Sequence, residues 1–329
     1  MSSSAIKLDP EWAPIWQFFK TLPKPTINDV FDLRNAANAG MGASIAGLPV
    51  RTDVEETKHT IQSLDGTNID VHRFVPAAAS PPSSSPTSTP QRAIIYIFGG
   101  GMVAGSVELW RKAIQDLAYR TTTQVFAVQY RLAPEHPFPA AVEDVYASVK
   151  WLQAHAGGFA VDPKRIVLYG KSAGGGIAAG AALMARDKAE LEHRLAAVAV
   201  SYPMLDDRTD LPADHPLNEY LIFTNQANTL GWEALTGKKR GERTDENVSI
   251  YAAPARAKDL SGLPDVYIDV SGLDLFREED IKFASRLQDA GVYVEFHLYP
   301  GVAHGFDSVA DLKVAREARA SQVRFLQSY

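Results

Sequence analysis

The chain has 329 residues, 46% of them hydrophobic, with a formal net charge of −6 and no cysteine. This is enough apolar material for a substantial core. It excludes disulfides, thiolate metal sites and a cysteine nucleophile, and it gives no electrostatic reason to expect nucleic acid as a partner. The densest basic run, "GKKRGER" at 237–243, reads as a solvated loop. No window reaches the ~20 apolar residues of a membrane-spanning helix. The start, "MSSSAIKLDPEWAPIW", lacks the charged and apolar regions of a secretory leader. A soluble cytoplasmic protein without stable membrane insertion is expected.

In chain order, residues 1–50 read as helical, with prolines and aromatics (Trp12, Trp16, Phe18, Phe19). Alternating polarity over 52–63 and 68–76 around "DGTN" predicts an antiparallel hairpin at a sheet edge. "PAAASPPSSSPTSTPQR" (76–92) is low-complexity and cannot build a core. Strand and helix patterns then alternate: strands at 93–98, 124–130, 165–170, 195–203, 264–272 and 293–301, helices at about 107–121, 140–156, 173–187, 278–290 and 308–327. Val142, Val145, Tyr146, Val149 and Leu152 share one face of the second of these helices. Residues 204–252 carry no strand pattern and are too long for a plain connection. The expected fold is α/β: a mostly parallel eight-stranded sheet with helices on both faces and a helical cap. Its parts are an N-terminal part of the cap (1–50), a first part of the core (51–203), a cap insertion (204–252) and a second part of the core (253–329).

Sites in parallel sheets form beyond the carboxyl ends of the strands, and four features fall there. "LYGKSAGGG" (168–176) fits a nucleophile elbow, G-x-S-x-G. Small neighbours let a tight strand-to-helix turn lift the Ser172 hydroxyl, and the N–H of Ala173 then faces a developing oxyanion. "FGGGMVAGS" (98–106) can aim the N–H groups of Gly100 and Gly101 at the same point. In "SGLDLFREED" (271–280), Asp274 lies just past a strand, where an acid can orient a histidine. Glu278, Glu279 and Asp280 read as solvated or capping carboxylates, and Asp269 lies inside the strand. In "PGVAHGFDS" (300–308), His304 is the one histidine of eight in a loop after the last strand. Serine, acid and histidine thus follow in that order, each at a strand end, a joint pattern far more specific than any member.

These segments resemble the hormone-sensitive-lipase-like branch of the α/β-hydrolases, with its HGGG, YRLAPE, GDSAGG, acid-loop and HGF motifs. The counterparts here are "FGGG" (98–101), "YRLAPE" (130–135), "GKSAGGG" (170–176), "GLDLFREED" (272–280) and "HGF" (304–306), and "YPMLDDR" (202–208) is similar to the family's cap entry. The resemblance covers about residues 93–329. It implies Ser172 as nucleophile, His304 as base, Asp274 as acid, and Gly100, Gly101 and Ala173 as oxyanion donors. It makes Tyr130, Arg131, Glu135 and Asp144 structural braces. Phe98, Met102, Lys171, Tyr202, Phe223 and Trp232 are expected to contact substrate.

Two residues depart from the pattern. Phe98 stands where the family has histidine, so packing must hold its loop. Lys171 stands where the family has an acid. It is expected to pair with a cap carboxylate, Asp206 or Asp207. The alternative is a charge facing the substrate and favouring anionic esters.

The expected activity is hydrolysis of carboxylic esters with short acyl chains, through an acyl-enzyme. No cofactor or metal is implied, the partner is a small-molecule ester or lactone, and the state is monomer or homodimer. Lactone opening is the same chemistry on a cyclic ester. A dehydratase and a hormone-binding protein are the rivals on this fold. The intact Ser172 argues against the first and His304 against the second.

Overall fold

The computed structural model describes residues 6–79, 90–309 and 311–329. The greater part of the Pro/Ser/Thr segment, 80–89, lies outside the described residues. Eight strands form one sheet: β1 (Val54–Gln62), β2 (Asn68–Pro76), β3 (Gln91–Ile97), β4 (Gln124–Gln129), β5 (Val161–Lys171), β6 (Ala197–Ser201), β7 (Asp265–Leu273) and β8 (Val294–Ala303). Their order is β1-β2-β4-β3-β5-β6-β7-β8. The hairpin β1–β2 and the β2–β4 pair are antiparallel, and every other pair is parallel. The central strands β3, β4 and β6 are buried almost throughout, as strands covered on both faces must be. The outer hairpin alternates, which is why its pattern reads so clearly in the sequence.

The helices between the strands are α3 (Val107–Thr121), α4 (Ala140–His155), α5 (Ala173–Lys188) and α7 (Arg277–Asp289), with α8 (Lys313–Ser328) after β8. Handedness assigns their faces. The chain steps one way from β3 to β4 through α3, and the opposite way from β4 to β5 through α4. Right-handed crossovers therefore put α3 on one face and α4, α5 and α7 on the other. Helix α8 returns to pack with α3, and α4 packs with α5. Ser106 caps α3 by accepting from the N–H of Leu109, as its serine-before-helix signature requires.

Two segments stand apart from the alternation. Residues before the hairpin form α1 (Trp12–Thr21) and α2 (Val30–Ala46), and the stretch 204–252 contains α6 (Asn225–Thr236). They meet: Trp16 and Tyr220 rings lie 5.8 Å apart. Leu33 of α2 clusters with Ala227 of α6 and with Val103, Ala104 and Ala133 of the core. The N–H of Asp9 donates to Gly301 O at 2.9 Å, so the N-terminal segment is seated on β8 where that strand bulges.

The basic run at 237–243 is less solvated than its composition suggests. Arg243 is buried beside Asp207, 3.7 Å away, because the segment folds back on the chain at 206–210.

Candidate active site

Ser172 directly follows β5 and caps α5 with φ 54° and ψ −123°, a strained conformation for a residue with a side chain. The turn is possible because Gly170 and Gly174, two residues away on either side, have no Cβ. A methyl on Gly170 would lie 2.2 Å from Gly174 O, and one on Gly174 2.3 Å from Ile97 O. The strain holds the serine hydroxyl up at the sheet's carboxyl edge.

Next to it stands His304, beyond the bulge at the end of β8. Its Nε2 lies 2.9 Å from Ser172 Oγ, and its Nδ1 lies 2.8 Å from Asp274 Oδ2. An ionised carboxylate only accepts, so the network places the ring proton on Nδ1 and leaves Nε2 free to accept from the serine. Asp274 is itself fixed. Its Oδ2 also accepts from Ser271 Oγ at 2.8 Å, and its Oδ1 accepts from the Phe276 N–H at 3.0 Å. The carboxylate is fully buried and the imidazole 12% exposed. This chain of contacts can pass a proton from the serine to the imidazole and stabilise the imidazolium that results.

The glycine loop lies against the elbow: a methyl on Gly99 would lie 2.9 Å from Lys171 O and 3.2 Å from Ser172 Cβ. Gly100 has φ 148° and Gly101 φ 61°, values that side chains resist. The N–H of Ala173, first residue of α5, has no partner within its own helix. The loop is held from two sides. From α2, Arg34 Nε donates to Val103 O at 2.6 Å, and Asn38 Oδ1 accepts from the Gly105 N–H at 2.9 Å. From α6, Gly231 comes so near that a methyl there would lie 2.7 Å from Gly101 O.

A family model of the alpha/beta hydrolase fold matches residues 94–308. The chain belongs to that family. It is an ester-hydrolysing enzyme of the hormone-sensitive-lipase-like branch. The chain is 34% identical over 228 residues, 68% of each protein, to esterase LipI of Mycobacterium tuberculosis. In three dimensions it is similar to a bacterial heroin esterase, with a TM-score of 0.83, 34% identity and 98% of each chain covered. It is also similar to a hyperthermophilic esterase of Pyrobaculum calidifontis, with a TM-score of 0.82, 29% identity, and 98% and 99% covered.

Within this hydrolase the residues expected at the substrate divide. Phe223, half-buried, lies with its ring 6.0 Å from that of His304 and 5.6 Å from that of Phe276. Tyr202 meets the His304 ring edge-on at 4.6 Å. Met102, at φ 68°, is buried in the glycine loop. Phe98 and Trp232 correct the expectation, since both are fully buried. Phe98 stacks on Tyr130 at 4.1 Å, and the Tyr130 hydroxyl donates to Phe98 O at 2.9 Å. Packing does hold the loop, with the ring enclosed between Tyr130 and the Gly105 backbone, where a methyl would come within 2.7 Å of it. Trp232 is enclosed on the inner face of α6.

Lys171 corrects it too. Asp207 is taken by Arg256 through two bonds of 2.6 and 2.9 Å, and Asp206 by Arg208. Lys171 instead meets Asp307 at 2.5 Å, with the lysine side chain 13% exposed and the carboxylate wholly buried. As the last residue of β5 it points to the α3/α8 side, among Tyr96, Tyr169 and Gln322, and not toward 204–252.

The acids after Asp274 are also unlike the reading of them as solvated. Glu278 is exposed, but Glu279 and Asp280 are buried. Glu279 accepts from the N–H groups of Leu205 and Asp206, at 2.6 and 3.1 Å, and from the Thr209 hydroxyl. It ties α7 to the start of the 204–252 segment. The braces read from "YRLAPE" are in ion pairs: Arg131 with Asp144 at 2.7 Å and Glu135 with Arg34 at 2.6 Å. Arg34, Asn38, Glu279 and Asp307 carried no local signal, because each acts on a partner that the fold brings to it, whereas Ser271 lies only three residues before the Asp274 it serves.

Proposed function

We propose that the hydrolase cleaves carboxylic esters with short acyl chains through an acyl-enzyme. Ser172 attacks the carbonyl, and His304 takes its proton. Asp274 holds the imidazole and stabilises its charged form. The N–H groups of Gly100, Gly101 and Ala173 receive the oxyanion, and water activated by His304 releases the acid. The observation that carries this reading is the unbroken Asp274–His304–Ser172 contact chain, at 2.8 and 2.9 Å. The preference for small acyl groups rests on Phe223 and Phe276, whose rings lie about the histidine and narrow the space beside it. Residues 1–50 and 204–252 act together as the cap, and Phe223 is the cap's reach into the site.

The test is a p-nitrophenyl ester series from acetate to decanoate. Ser172→Ala and His304→Ala are expected to lower kcat by about 10³-fold or more, leaving a residual rate from the oxyanion donors. A fluorophosphonate should label the wild type and not Ser172→Ala. Phe223→Ala should move the optimum to longer chains. Undiminished turnover by Ser172→Ala would overturn the assignment.

A further inference from the structure

Three segments end within reach of one another behind the reacting groups: the end of β5, the turn after β6, and the histidine loop. Lys171, directly before Ser172, donates to Asp307 Oδ2, and Asp307 lies three residues after His304. Tyr202, directly after β6, donates its hydroxyl to Asp307 Oδ1 at 2.7 Å while its ring rests on the imidazole. We propose that Lys171, Asp307 and Tyr202 form a positioning clamp that fixes His304 against Ser172. This rests on the reading of Ser172 and His304 given above.

The loop needs an anchor. Gly301 and Gly305 flank His304 with φ 74° and 76°; Gly301 is held by Asp9, where a methyl would lie 2.3 Å from its backbone nitrogen, but a Cβ on Gly305 would meet nothing within 4 Å. On the Gly305 side no packing opposes a shift of the backbone, and a displacement of about 1 Å between reacting atoms is enough to cost about 100-fold in rate. The clamp opposes that shift by joining the loop to the strained elbow through buried side chains. The elbow is itself tied to the turn after β6: the Ser172 N–H donates to Ser201 O at 2.9 Å, and the Met204 N–H to Ser172 O at 3.1 Å. Tyr202 sits at φ 39°, and its N–H donates to Asp269 O at 2.5 Å, so the ring that meets His304 is held from the backbone as well.

Lys171 is a positioning residue and not a catalytic one, because its ammonium lies between the sheet and helices α3 and α8. The pair is a closed unit. Gln322 reaches Asp307 Oδ2 at 3.4 Å, and Arg319 donates to the Asp307 backbone carbonyl. Burial alone would raise the Asp307 carboxyl, but Lys171 beside it holds it below the usual range. The same carboxylate outweighs burial in keeping Lys171 charged.

The experiment uses p-nitrophenyl acetate turnover and fluorophosphonate labelling on the full chain, with thermal melting as a check of folding. Lys171→Met and Asp307→Asn are each expected to lower kcat by about 100-fold, with KM within about two-fold. The double variant is expected to be no slower than either single variant, because both remove one interaction. Tyr202→Phe leaves the ion pair and the ring in place. It should lose about 10-fold in kcat at unchanged KM, and it carries the test if the charge variants do not fold. The clamp is overturned if folded Lys171→Met or Tyr202→Phe keeps kcat within about two-fold of wild type, or if the two charge substitutions multiply in the double variant. The two readings fail separately. Turnover surviving in Ser172→Ala would sink the nucleophile assignment. A dead Ser172→Ala beside fully active Lys171→Met and Tyr202→Phe would sink the clamp alone.

Discussion

Two aspartates in this hydrolase are removed from water to the same degree and have opposite fates. Asp307 and Asp280 are both almost completely buried. Asp307 has a lysine, a tyrosine hydroxyl and a glutamine amide around its oxygens. Neither oxygen of Asp280 has a hydrogen-bond partner among the described residues. The carboxyl of Asp307 is held below its usual range by Lys171. That of Asp280 is pushed well above it by burial and then by the charges of Glu279 and Asp274. Burial therefore does not decide what a buried acid does to stability; its partner does.

The largest expected effect comes from taking the partner's partner away. Asp307→Ala leaves Lys171 buried and unpaired, and should cost about 3–5 kcal/mol of unfolding free energy, measured by urea denaturation at neutral pH. For a depressed carboxyl the contribution is present above the unfolded value and is lost as pH falls. The wild-type advantage over Asp307→Ala should therefore shrink on acidification. A loss under about 1 kcal/mol would show the pair to be a weak structural link.

Asp280→Asn should act in the other direction. The unfolded carboxyl titrates near 3.8 and the folded one well above it, so the penalty is absent below about pH 4 and grows as pH rises. The variant should be more stable than wild type by on the order of 2 kcal/mol at neutral pH, with the difference vanishing in acid. Equal stability at every pH would mean that Asp280 has a partner in solution, and the contrast with Asp307 would fall.

The smallest effect is expected at Glu135, whose side chain is 47% exposed. Its bond to Arg34 lowers its carboxyl to about 2. Water screens the pair, so Glu135→Gln should cost no more than about 1 kcal/mol, and that loss should fade as pH drops toward 2 or as salt is raised. A larger cost would show that Arg34, through Val103, depends on this pair to hold the glycine loop, and the variant's kcat would then fall as well.

The alternating hairpin, the buried strands and the order Ser172, Asp274, His304 were legible because each rests on local spacing. Period-two patterning marks β1 and β2, and small residues around Ser172 mark a turn that needs them. The partner of Lys171 was not legible. Asp307 is 136 residues away, and only the closing of β5 against the histidine loop brings the two together. Asp206 and Asp207 of the 204–252 segment lie nearer by motif, but Arg208 and Arg256 already engage them. Glu279 and Asp280 read as solvated because charge usually means exposure. The first N-terminal turn of α7, which faces the 204–252 segment, reverses that rule. Phe98 and Trp232 were misread on different grounds, the first as part of the glycine motif and the second as an aromatic of the 204–252 segment, but both turn into the core in space.

The contact between Gly231 and Gly101 has a consequence for how such enzymes can be recombined. Helix α6 crosses the glycine loop backbone to backbone at Gly231 and Gly101, with no side chain as a cushion. The segment 204–252 is thus not a detachable module resting on a finished core, since its backbone forms one wall of the loop. A chimera that imported another insertion would have to bring a glycine to the same crossing. With any larger residue there, the graft would push on Gly101 O before it ever met a substrate.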